Sequence, residues 1–216
     1  MYIKFINEED LVPGDVILCC SVMTSEKAAQ ATDSKYSHAA IHVSDGEIAE
    51  SSSKGVAITS VSNLLDEYDH IAVLRNPYIW GGDRVDKLRR FIKKAIEDKA
   101  FFNTIGMGKY ESRKSKHSIS ELQRLEQYFE GKLPEIESER GAYFCSELVV
   151  ASFLSIGAIA QSAAVVITPE VFSPGDLGKE ATFGGFVGYI KASDETEISE
   201  DDDFYFQSPI DHVSQI

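Results

Sequence analysis

Tyr143-Phe144-Cys145-Ser146-Glu147-Leu148-Val149-Val150-Ala151-Ser152-Phe153-Leu154 sets one cysteine at the start of an apolar run. Leu148, Val149, Ser152, Phe153 and Ile156 recur at spacings of three and four, which predicts a buried helix. The preceding Gly141-Ala142-Tyr143-Phe144 reads as a loop or strand end. Cys145 is therefore expected near a helix N-terminus. There the macrodipole and the unpaired amides favour an anion, so a thiolate forms more easily. A nucleophilic thiol also needs a histidine to take its proton. The commoner fate of a lone cysteine is a buried structural one, and this segment alone leaves both readings open.

Five histidines are available: His38, His42, His70, His117 and His212. His212 falls in the acidic terminal stretch and His117 in a charged segment, which are poor places for a fixed base. His70, next to Asp69 at a strand start, is expected to be exposed. His38 and His42 lie on the strand Tyr36-Ser37-His38-Ala39-Ala40-Ile41-His42-Val43 and share a face. Small neighbours around His38 leave room for a partner. A base also needs an acceptor that fixes its tautomer. Ser44-Asp45-Gly46-Glu47 is a strong hairpin turn, and the return strand is Glu47-Ile48-Ala49-Glu50-Ser51. With Asp45-Gly46 as a simple two-residue turn, Glu50 pairs with Ile41 and faces away from His38. A bulge would bring them together, so bare geometry leaves Glu50 undecided.

Around this core, Val12-Pro13-Gly14-Asp15 is a turn leading into the strand Val16-Ile17-Leu18-Cys19-Cys20. Helices are expected at 25–33, from a Ser62 cap to Tyr68, and from Asp83 onward, where Val85, Leu88, Ile92, Ala95 and Ile96 form an apolar face. Strands are expected at 55–59, 71–75, 163–167 and within 183–191, and a turn at 173–177. Residues 107–140 carry seven bases and seven acids, including Lys109, Arg113, Lys114 and Lys116, and read as a charged helical insertion or lid. Residues 192–216 hold eight acids and no Lys or Arg, out of a net charge of −14, and are expected to be a mobile tail. The remaining 1–191 are only mildly acidic, so nucleic acid is not an expected partner. Three cysteines, two of them adjacent (Cys19, Cys20), make no disulfide framework. No CxxC or HExxH spacing occurs, so neither a metal nor another cofactor is expected. No signal peptide and no apolar run long enough to span a membrane is read, which predicts a cytoplasmic product unless a specialised secretion system exports it.

The segment His38-Ala39-Ala40-Ile41-His42-Val43-Ser44-Asp45-Gly46-Glu47-Ile48-Ala49-Glu50, followed a hundred residues later by Phe144-Cys145-Ser146-Glu147-Leu148-Val149, resembles the permuted branch of the NlpC-type papain-like fold. That branch includes YiiX-like bacterial proteins and, more remotely, lecithin:retinol acyltransferases. The resemblance covers roughly residues 11–80 and 141–190. It implies an α+β fold, circularly permuted, with an antiparallel sheet or half-barrel packed on helices, in one catalytic domain over 1–191. It implies Cys145 as nucleophile, His38 as base and Glu50, twelve residues on, as the third polar member. Tyr36 resembles a position lining such sites, and Tyr36 or Ser37 is expected to help the Cys145 amide hold an oxyanion. His42 stands where relatives often carry an aromatic and is read as a packed or surface side chain. The function implied is a cysteine hydrolase working through a thioester, a peptidase or amidase on bacterial cell-wall peptides. The alternatives are a lipid or thioester acyl hydrolase or acyltransferase, and a non-enzymatic binding domain. Oligomeric state is not readable.

Overall fold

The computed structural model describes residues 3–133 and 136–210 and has an α+β architecture. In chain order its elements are β1 (Val16–Cys20), α1 (Val22–Thr32), β2 (His38–Ser44), β3 (Glu47–Ser52), β4 (Gly55–Thr59), α2 (Val61–Glu67), β5 (His70–Arg75), α3 (Arg84–Glu97), β6 (Phe101–Phe102), α4 (Thr104–Gly108), α5 (Tyr110–Ile119), α6 (Glu121–Phe129), β7 (Ala142–Tyr143), α7 (Cys145–Ser155), α8 (Gln161–Ala164), α9 (Pro174–Lys179) and β8 (Gly185–Lys191). Three local expectations change. Residues 163–167 are not a strand: the amides of Val166 and Ile167 both bond back to the Ala163 carbonyl, closing a tight turn after α8. The apolar run there is too short to escape the helical preference of Ala163-Ala164. Helix α2 is capped by Ser60, not Ser62, the Ser60 hydroxyl accepting from Asn63 N–H at 3.2 Å. The 173–177 turn is the start of α9. Ser173 and Asp176 cap one another reciprocally, with Pro174 at the first helical position.

The chain packs as two compact units. The first comprises residues up to Glu50, Ile58–Gly82, and Ser173 onward; the second comprises Ser51–Ala57 and Asp83–Phe172. The main sheet has the order β4-β3-β2-β1-β5-β8, and β1 pairs antiparallel with both β2 and β5. This mixed α and antiparallel β content is compatible with an α+β papain-like fold. β1 is buried along its whole length, as its unbroken apolar sequence requires of a central strand. One face of the sheet carries Ile17, Cys19, Ala40, Ile48, Ile71 and Val73, which pack beneath Val61 and Leu64 of α2. On the other face α9 comes in closely. A side chain at Gly178 would sit 2.7 Å from the Phe204 ring and 3.4 Å from Leu18, so only glycine admits that approach.

The Pro13-Gly14-Asp15 turn is held from below. The Arg75 guanidinium donates two bonds to the fully buried Asp15 carboxylate, at 2.8 and 2.6 Å, the fork geometry that arginine provides. Asp15 also accepts from Val12 N–H at 2.9 Å.

The acidic stretch expected to be mobile has a buried anchor in its described part, 192–210. Asp202 and Phe204 are both buried. The Asp202 carboxylate accepts from the hydroxyls of Tyr36 and Tyr189, from the Phe204 amide, and from Nε2–H of His70 at 3.1 Å. Burial alone would raise the Asp202 pKa, but the His70 and Tyr189 bonds and the Phe204 amide hold it below the ordinary carboxylate value.

In the second unit α7 is buried from Cys145 through Leu154, the signature of a helix that is apolar all round. Helix α3 buries Leu88, Phe91, Ile92 and Ala95. β6 and β7 pair in parallel, Phe101 opposite Ala142 and Phe102 opposite Tyr143. Ser51 Oγ donates to the Tyr143 carbonyl at 2.7 Å, fastening the 51–57 segment to that ribbon. Among the described residues no helix is long and apolar enough to cross a membrane.

The Asp202 cluster makes a pH-dependent contribution. A carboxylate with a depressed folded pKa stabilises above its unfolded pKa, about 3.9, and that stabilisation is lost as pH falls through the folded value. Asp202→Asn is expected to cost about 3 kcal/mol at pH 7, the scale for breaking a buried charged network. The gap from the unsubstituted protein should shrink below about pH 4. Urea denaturation across pH reads both.

Candidate active site

The first unit supplies an imidazole with a fixed orientation. β2 and β3 pair Ser44 with Glu47, His42 with Ile48, Ile41 with Ala49 and Ala40 with Glu50, with an irregularity between His42 and Ser44. Val43 is the extra residue of a β-bulge. The simple two-residue hairpin is thus corrected by one position: Glu50 faces Ala40, not Ile41. Ala40 and His38 share a face, so Glu50 lies diagonally across from His38 on that same face. Glu50 Oε2 is 2.8 Å from His38 Nε2. The ring is further held by Tyr68, stacked at 5.6 Å between centroids with planes 6° apart. His38 is buried while the Glu50 side chain keeps 18% of its surface exposed.

The other expected partners go elsewhere. Tyr36 is fully buried on the opposite face of the sheet, its hydroxyl on Asp202 and its ring edge-on to His70 and Phe204. Burial and Asp202 push its pKa well above the ordinary tyrosine value. It does not join His38. Ser37 is exposed, but its amide is spent on the Cys19 carbonyl at 3.1 Å, leaving only its hydroxyl as a donor. His42, read as packed or at the surface, is buried; burial lowers its pKa against an opposing bond to the Val12 backbone. His70 is not exposed. It pairs with Cys20 across β1–β5 and points into the Asp202 cluster. His117 is buried on Val165 O and Thr168 Oγ1, both at 3.0 Å. His212 lies outside the described residues.

The expected nucleophile lies in the second unit. Cys145 is the first residue of α7 after the extended Phe144, and it is at the border of full burial, at 9% exposure. The first amides of a helix have no acceptor within it, so this end is suited to an oxyanion. Glu147, two residues on, was not singled out from sequence. It accepts from Phe144 N–H at 3.1 Å, from Asn103 Nδ2 at 3.0 Å and from Arg140 Nη1 at 3.0 Å. Its place three residues after the cap is half of a capping box, and that spacing was the available signal. Burial raises the Glu147 pKa despite these donors. Asn103 also caps α4 by accepting from Gly106 N–H at 2.8 Å. Arg140 bridges onward to Glu170 at 2.7 Å.

In the first unit, Cys20, His70 and Asp202 offer atoms within 4.8 Å of one another. Its donor types suit a borderline metal such as zinc. The carboxylate, however, is already filled by four donors, and burial pushes the Cys20 thiol up to about 12. The arrangement fits a hydrogen-bonded carboxylate beside a neutral thiol better than a cation site.

Glu147→Ala is expected to destabilise the protein by about 3 kcal/mol, because it leaves the Phe144 amide and the Asn103 side-chain amide without their acceptor and removes one of Arg140's two carboxylate partners. Arg140→Met/Glu147→Leu should recover much of that loss, since it removes both charges. Thermal denaturation of the three proteins checks the ordering.

No protein-family profile matches the chain. Over 166 residues it is 28% identical to the "Probable lipoprotein peptidase YaeF" of Escherichia coli (strain K12), an alignment covering 72% of this chain and 60% of that protein. The chain thus spans about 60% of the length of this curated relative, and the likeness is consistent with a peptidase-type family.

Proposed function

We propose that the chain is a cysteine hydrolase of the peptidase or amidase type, with Cys145 as nucleophile, His38 as base and Glu50 as the group that orients it. The observation that carries this reading is the 2.8 Å contact of Glu50 with His38 Nε2, achieved through the Val43 bulge. With Nε2–H donated to Glu50, the neutral ring keeps its lone pair on Nδ1, the nitrogen that takes the thiol proton. A peptidase-type function is also supported by the likeness to a protein named as a probable lipoprotein peptidase.

In the proposed reaction His38 Nδ1 accepts the proton from Cys145 Sγ. The thiolate attacks the carbonyl carbon of the scissile amide, and the oxyanion is held by amides at the start of α7. The C–N bond breaks as His38 Nδ1–H protonates the departing amine, leaving a thioester. Water, deprotonated by His38, then attacks the thioester and returns the thiol. Glu50 holds the ring and offsets the imidazolium charge. Arg140, paired with Glu147, keeps that buried carboxylate from opposing the thiolate two residues away. The substrate proposed is a short peptide of the bacterial cell wall.

Incubation with purified peptidoglycan and, separately, with phospholipid vesicles, read by mass spectrometry, tests the substrate class. Release of peptides is expected, and acyl release from lipid alone would sink the peptide reading. Cys145→Ala and His38→Ala should lower turnover by about 10³-fold or more, with Glu50→Gln milder by about an order of magnitude. Iodoacetamide should label Cys145 ahead of the buried Cys19 and Cys20, and His38→Ala should slow that labelling. Full turnover in Cys145→Ala overturns the assignment.

A further inference from the structure

Charge in the second unit is unevenly matched around one cavity. About 300 Å³ of space is lined by Arg113, Lys116, His117, Arg124, Thr168 and Glu170 among others. Arg113 Nη1 is buried and meets no hydrogen-bond acceptor among the described residues. A guanidinium nitrogen removed from water without an acceptor is a costly arrangement that an incoming anion would relieve. Arg124 reaches Thr168 Oγ1 at 3.2 Å, a neutral partner. Burial holds its pKa below the ordinary arginine value, against the attraction of Glu170. Lys116 is exposed at the rim. The one acid lining the cavity, Glu170, is already engaged by Arg140 at 2.7 Å. Three cations therefore face a space lined by a single carboxylate, whose hydrogen bond goes to Arg140.

We propose that this cavity binds the phosphate group of a phosphate monoester. A carboxylate ligand would answer one charge, whereas a phosphate monoester brings about −1.5 to −2 and three acceptor oxygens. Those oxygens match two guanidinium forks and an ammonium. His117 is no competitor for the proton, since burial and the neighbouring Arg124 lower its pKa. An adjoining space of about 570 Å³ shares Arg124, Thr168 and Glu170 and adds Leu133, Ile136 and Val165. It gives the organic part of the ester a partly apolar seat. The ester is either a soluble molecule or a lipid headgroup. This site does not depend on the hydrolase reading, and binding is measured without turnover.

Calorimetric titration of the full chain with inorganic phosphate and with phenyl phosphate tests it, acetate serving as the carboxylate control. Saturable binding of both phosphates is expected, with phenyl phosphate tighter and acetate at least about tenfold weaker. Arg113→Gln and Arg124→Gln should each weaken binding about tenfold or more, the loss expected for one charged hydrogen bond. Cys145→Ala should bind unchanged. Should either arginine variant fail to fold, Lys116→Gln at the rim and protection of Arg113 from phenylglyoxal by phosphate give the same answer. Co-sedimentation with phosphatidylcholine vesicles, with and without phosphatidic acid, separates the sources: capture by phosphatidic acid that Arg113→Gln abolishes identifies the lipid form. No saturable phosphate binding, equal binding of acetate, or undiminished binding by the arginine variants overturns the proposal.

Discussion

One unpaired residue, Val43, governs where the polar pair of the first unit lands. Side chains alternate along a strand, so a slip of one residue carries every group to the other face. Without the bulge Glu50 would point away from His38, with the sheet between them. With it, Glu50 lies opposite Ala40 and within 2.8 Å of the ring. The bulge is clamped from both ends. On one side Gly46, at φ 70°, closes the hairpin, while Ser44 Oγ donates to Glu47 at 2.5 Å. On the other, His42 N–H donates to the Asp15 carbonyl at 2.9 Å and Gly14 N–H to the His42 carbonyl at 2.8 Å. Arg75 holds that turn through Asp15. The orientation of His38 is therefore linked, through backbone bonds, to an ion pair near the opposite end of β2.

At the start of α7 the governing problem is charge. A carboxylate at the third helical position favours the helix dipole but would oppose a negative charge at the first. Glu147 is fully buried, and burial outweighs its donors enough to raise its pKa. Arg140 resolves the conflict by neutralising the carboxylate, and Asn103 contributes a further bond that also caps α4. The start of α7 is thereby fastened by these bonds without carrying net negative charge from Glu147.

Much of this was legible from residue pattern. Periodicity located α7 and put Cys145 at its first turn, and the Asp45-Gly46 pair located the hairpin. Strand alternation put His38 and His42 on one face, and the small residues flanking His38 left room for a partner. What pattern could not reach were long-range events. A bulge leaves no strong mark in Ser44-Asp45-Gly46-Glu47, so the register was read one residue off. His70 looked exposed because Asp69 precedes it, yet its partner Asp202 lies 132 residues away. Residues 163–167 looked strand-like because β-branched content was weighed over the helical Ala163-Ala164. The acidic run 200–203 looked uniformly solvated, because composition does not say which of several adjacent acids finds donors.

That last point explains why two similar groupings on one sheet suit different ends. One face carries Cys20, His70 and Asp202, the other His38 and Glu50. Cys20 is held protonated by burial, and every strong donor near Asp202 is already bonded to it, so a proton moved there would break contacts that hold the 192–210 stretch against the sheet. Glu50, by contrast, remains partly open to solvent, and His38 is held by one carboxylate and one stacked ring, Tyr68. A carboxylate that still touches water can follow the charge of an imidazole as it changes, because solvent and protein share the reorganisation. A saturated, dry carboxylate cannot. The same residue types thus make a latch at Asp202, where the carboxylate is filled by donors, and a solvent-touching pair at Glu50 and His38.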